Sequence, residues 1–125
     1  MADFQRLNPL AFYETPKEVC PVQNVYVSLA VAVNQVVVPA VSGKRIRVMG
    51  MIAQTNNAAK GVLQFLDGAG GTILYSYYMP TFDQPLEKLP IVNSGYFETT
   101  TGNGLYATVL TNLMQANVFY ITYTP

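Results

Sequence analysis

The sequence predicts an all-β protein, an antiparallel β-sandwich of about eight strands with an extended N-terminal arm. Three observations carry that prediction. β-Branched and aromatic residues recur in short runs from Val25 onward. Clusters of Gly, Asn and Pro separate these runs roughly every eight to twelve residues. Between the clusters, no stretch of about ten residues keeps a helical apolar period.

Residues 1–24 carry Pro9, Pro16 and Pro21 and hold neither a helical period nor strict alternation, so they read as an extended arm ahead of a sandwich domain over residues 25–125. The arm contains Phe4, Leu7, Leu10, Phe12 and Tyr13. That set is too apolar for a solvated tail, because disordered segments are poor in aromatics. The arm therefore either covers an edge of its own domain or docks on a neighbouring subunit.

Strands are expected at Val25–Val31, Gln35–Val38, Lys44–Thr55, Gly61–Leu66, Thr72–Met79, Gly95–Thr99, Leu105–Leu110 and Asn117–Thr124. In the third, alternation puts Ile46, Val48 and Ile52 on one face and Arg45, Arg47, Met49 and Met51 on the other, which starts charged and turns apolar. In the last, Phe119, Ile121 and Tyr123 oppose Val118, Tyr120 and Thr122. A strand apolar on both faces implies a second covering surface. Asn56-Asn57, Asp67-Gly68 with Gly70-Gly71, Asn93-Ser94-Gly95 and Gly102-Asn103-Gly104 supply the turns. The connection from Pro80 to Pro90, which includes Asp83, Glu87 and Lys88, is expected to cross an end of the sandwich as a loop.

Composition narrows the function. Seven Lys and Arg balance seven Asp and Glu, so the chain lacks the basic excess that drives phosphate binding, and nucleic acid is not an expected partner. No apolar run is long enough to span a membrane. With no His and one Cys, the usual zinc sites, Ser-His and Cys-His nucleophilic pairs and an intrachain disulfide are excluded. Charged residues are 11% of the chain, against about 25% in typical domains. Thr, Asn, Gln, Ser and nine Tyr take their place, a composition suited to surfaces that pack against other protein.

The motifs that suggest chemistry have simpler explanations. Gly43-Lys44-Arg45 lacks the earlier Gly, the following Ser or Thr and the helix of a phosphate loop, so it reads as a tight turn. Gly68-Ala69-Gly70-Gly71 has the wrong spacing for a dinucleotide fingerprint and reads as a hairpin. The carboxylates Asp3, Glu14, Glu18, Asp67, Asp83, Glu87 and Glu98 form no local catalytic motif and no calcium loop. Asp83 and Glu87 share a loop, but no Trp platform accompanies them. Tyr75 and Tyr77 share one strand face and Tyr78 takes the other, so the three offer a candidate interface or ligand face with at least one side directed inward. Cys20 has no intrachain partner and suits a reducing compartment.

Val41-Ser42-Gly43-Lys44-Arg45-Ile46-Arg47-Val48 resembles small β-sandwich structural proteins of tailed bacteriophages, in which a Gly-Lys-x-Ile-Arg-Val strand follows a short Val-rich one. Gly95-Tyr96-Phe97-Glu98-Thr99 and Gly102-Asn103-Gly104-Leu105-Tyr106-Ala107 resemble the Gly-x-Phe-x-Thr and Gly-x-x-Leu pairing of the same proteins. The likeness spans residues 35–125 and does not reach the arm. It implies a virion component on the capsid surface, assembled in the host cytoplasm. That component would be a decoration or cement protein, or a head or tail fibre module, often a homotrimer. The expectation is thus a non-enzymatic, jelly-roll-like sandwich without cofactor or metal. Its partners would be the major capsid protein and copies of itself, with Phe4, Leu7, Leu10, Phe12 and Tyr13 anchoring the arm. The alternative is a carbohydrate- or receptor-binding module that uses the tyrosines and the Pro80–Pro90 connection.

Overall fold

The computed structural model describes residues 12–14, 18–55, 61–79 and 86–125. Among these, the chain forms strands β1 (Phe12–Glu14), β2 (Val19–Pro21), β3 (Gln23–Leu29), β4 (Gln35–Val38), β5 (Arg45–Thr55), β6 (Gly61–Asp67), β7 (Ile73–Met79), β8 (Leu86–Leu89), β9 (Phe97–Glu98), β10 (Leu105–Thr111) and β11 (Met114–Tyr123), and no helix. All strand pairs are antiparallel. One main sheet has the order β4-β10-β6-β7; the other has β3-β11-β5-β8, with β9 also paired to β5, and β1 and β2 form a separate two-stranded sheet. The expected all-β sandwich is borne out.

The topology defines the sandwich more narrowly. β3 pairs with β11, β4 with β10, β5 with β8 and β6 with β7, so the chain is one long antiparallel ribbon folded over on itself. The Gly68–Gly71 hairpin lies at its tip, where Gly68 and Gly70 take positive φ and the Asp67 N–H donates to Thr72 O at 2.9 Å. Each ribbon pair falls in the opposite sheet from the next. This winding is the jelly roll. Its core lies between the sheets, where Leu29, Val38, Ile46, Val48, Met51, Leu63, Phe65, Leu105, Val109, Met114 and Val118 are buried. Phe97 joins the layers, 5.4 Å from the Phe65 ring and stacked at 5.4 Å on Tyr75.

Several expected boundaries move. The first sandwich strand covers Gln23–Leu29, the last begins at Met114, and the strand expected at Gly95–Thr99 contracts to Phe97–Glu98. The Pro80–Pro90 connection is not wholly a loop, because Leu86–Leu89 pairs with Met51–Gln54 as an edge strand. The prolines at 85 and 90 bracket this strand, and an edge position tolerates them.

One face assignment is overturned. Val48 lies opposite Tyr120 and Gly50 opposite Phe119, so Met49 is an extra residue, a β-bulge. The bulge changes the parity of β5, and everything beyond it swaps sides. Met51 and Ala53 enter the core, while Ile52 is exposed rather than sharing the face of Ile46 and Val48.

The second covering surface exists and comes from the chain itself. Cys20, Met49, Ile121 and Tyr123 form a smaller buried cluster with Val22 and Ile91 packed on it. β2 and the segment after β8 therefore lie over the outer side of the five-stranded sheet. Glu18 ties this layer down, accepting from the Thr124 N–H at 2.6 Å and from Lys44 Nζ at 3.4 Å. The folded body thus reaches back to Glu18, ahead of the boundary expected at residue 25. Phe4, Leu7 and Leu10 lie outside the described residues, as do the side chains of Phe12 and Tyr13.

Candidate interaction surface

The other outward face, that of the four-stranded sheet, is built from strands that hold a single charged residue, Asp67. Asp67 sits at the end of β6, where it accepts from the Thr100 N–H at 2.8 Å and from Asn103 Nδ2 at 3.0 Å. It closes a loop rather than charging the face. The paired register aligns Val36, Tyr106, Leu66 and Ile73 in one row, and Thr108, Gln64 and Ser76 in the next. A third row contains Leu110, Val62 and Tyr78, with Leu110 displaced by a bulge. Val36, Ile73, Tyr78 and Leu110 are exposed by 50%, 49%, 57% and 51%. Four large apolar or aromatic side chains thus stand half in water on one face of strands nearly free of charge, in two rows with Thr108, Gln64 and Ser76 between them.

The three singled-out tyrosines divide. Tyr75 and Tyr77 pack against the core, and Tyr78 alone of the three belongs to the exposed face. Val36, Ile73, Tyr106 and Leu110 were not singled out, although the near absence of charge from these strand sequences was a legible signal.

The charged side chains among the described residues are bonded elsewhere. Gly43 takes positive φ and the Lys44 N–H donates to Val41 O at 3.1 Å, the tight turn that was expected. Glu98 accepts from Arg45 Nη1 at 2.7 Å, Arg47 Nε at 2.8 Å and the Tyr123 hydroxyl at 2.7 Å. The Arg47 guanidinium also lies over the Tyr123 ring, 4.8 Å from its centroid. A cleft of about 270 Å³ adjoins this cluster, lined by Arg47, Ser94, Gly95, Tyr96, Phe97 and Glu98. Both arginines are bonded to the one Glu98 carboxylate, which fixes their position beside the cleft and leaves the cluster with one net positive charge. Burial pushes the Glu98 carboxyl up, yet the bonds from Tyr123, Arg45 and Arg47 outweigh it and hold its pKa below the ordinary value.

No family model matches the chain, and no curated protein matches it. Among the described residues no three His, Cys, Asp or Glu side chains cluster as a metal site. Asp83 lies outside the described residues, as does the side chain of Glu87, whose backbone belongs to β8.

Proposed function

We propose that this protein is a non-enzymatic structural component that adheres to other protein subunits through the outer face of its four-stranded sheet. In its specific form the reading is a capsid decoration, or cement, protein of a tailed bacteriophage, bound to the major capsid protein and to copies of itself as a homotrimer. The carrying observation is that face, with Val36, Ile73, Tyr78 and Leu110 half exposed and uncharged neighbours between them. The short phage-like motifs around Gly43–Val48 and Gly95–Ala107 favour the virion as the setting.

Size supports shared rather than solitary contacts. Three strands of seven residues and one of four, spaced about 4.8 Å apart at roughly 3.3 Å per residue, present on the order of 400 Å². A stable pairwise interface takes about 800 Å² from each partner. One such face holds weakly, and a lattice that presents many copies, with the arm adding area, holds firmly.

Leu110→Lys and Tyr78→Lys each place a charge on the face without touching the core. Folding stability should change by no more than about 0.5 kcal/mol, while sedimentation with capsids should be lost. Capsids stripped of the protein should disrupt at lower temperature than decorated ones. Equal heat resistance with and without the protein, or undiminished sedimentation of the lysine variants, overturns the reading.

A further inference from the structure

On the five-stranded sheet, the outer surface away from β2 carries a different kind of patch. The register sets Tyr26, Asn117 and Ile52 in one row and Ser28, Gln115 and Gln54 in the next. Together Tyr26, Ile52, Gln54, Gln115, Ala116 and Asn117 line a shallow depression of about 180 Å³. Tyr26 is 57% exposed. The side-chain amides of Gln54, Gln115 and Asn117 make no hydrogen bond among the described residues.

This arrangement runs against what a sheet needs. β11 lies between β3 and β5, and central strands favour β-branched and aromatic residues, with Asn depleted. Here Asn117 and Gln115 take consecutive outward positions beside Gln54. An amide offers both a donor and an acceptor, the combination that a hydroxyl group satisfies. An exposed tyrosine face stacks on an apolar ring surface. Among the described side chains no charged residue lines the depression; the backbone of Lys88 lies opposite Ile52 in the register, at the edge of the first row. The volume is below the roughly 300 Å³ at which drug-sized sites begin, and fits a single small ring.

We propose that this depression binds a neutral pyranose, the terminal sugar of a glycan, with Tyr26 stacked on its C–H face and Asn117, Gln115 and Gln54 bonded to its hydroxyls. The site is on the opposite sheet from the adhesion face and does not depend on it.

The test is a titration of the intact ¹⁵N-labelled protein with glucose, galactose, mannose and N-acetylglucosamine, followed by backbone amide shifts. At least one sugar should shift resonances confined to residues 24–28, 52–54 and 115–117 of the three lining strands. Tyr26→Ala and Asn117→Ala should each weaken that binding by about tenfold or more, with the rest of the spectrum unchanged. Val33→Thr, remote from the patch, should leave it intact. The proposal is overturned if none of the four sugars shifts these resonances, or if the shifts survive Tyr26→Ala. It is also overturned if the same resonances move with protein concentration alone and no sugar has an effect, because a second copy then occupies the patch.

Discussion

Glu98 shows how much one carboxylate fixes. It gathers Arg45, Arg47 and Tyr123 at one end of the antiparallel pair β5 and β11, where Tyr123 lies opposite Arg45. Its pKa lies below the ordinary value of 4.5, so the folded state holds the proton more weakly than the unfolded chain does. The stabilisation is therefore complete above the ordinary value and fades as pH falls through the folded one. Glu98→Gln should lower stability by roughly 1–3 kcal/mol at neutral pH. It should also lose less on acidification from about pH 5 to about pH 3 than the parent does. Thermal melts across that range check both, and parallel acid profiles would contradict the assignment. At Cys20, 2% exposed, burial pushes the thiol pKa up, with a further push from Glu18. Native protein should therefore react slowly with a thiol reagent, and urea should release the reaction, because the thiolate is the reactive form.

At the scale of the element, the bulge at Met49 decides what covers what. The apolar run in β5 was legible, and so was the two-sided character of β11. The parity change was not read, although Gly50 inside the strand signals a bulge or a close approach; which residue is the extra one is fixed only when β11 supplies the partner. Gly50 then has a packing role as well. A Cβ there would come within 2.9 Å of Ile91 Cγ1 and 3.0 Å of Leu89 O. Gly50→Ala should destabilise by about 1–3 kcal/mol through that overpacking, read from urea midpoints. A neutral result would mean that the segment after β8 lifts off the sheet at little cost. β8 makes the same point from the other side. Three prolines argued for a loop, yet the four residues between two of them were free to pair once β5 presented an open edge.

Across the whole molecule, the folded-over ribbon joins strands far apart in sequence, with β3 on β11 and β4 on β10. Such non-local pairing is slow to form, so refolding should fall in the range of roughly milliseconds to seconds. Stopped-flow refolding measures this, and a microsecond phase carrying the full amplitude would contradict it. The same winding gives the two sheets different outer faces. One is covered by β2 and the segment around Ile91 and then opens into the Tyr26 patch; the strands of the other hold Asp67 as their one charged residue, and its face is partly apolar.

The order of runs and turns in the sequence determined an all-β chain, its antiparallel hairpins and the need for a cover over β11, because period-two alternation and turn residues are local properties. The scarcity of charge was likewise plain from composition. Tertiary structure alone decided that Tyr75 and Tyr77 enter the core while Tyr78 stays outside, that Ile52 leaves it, and that Cys20 belongs to the folded body. Each of these depends on which strand lies alongside and in what register, and that is settled only when distant segments meet.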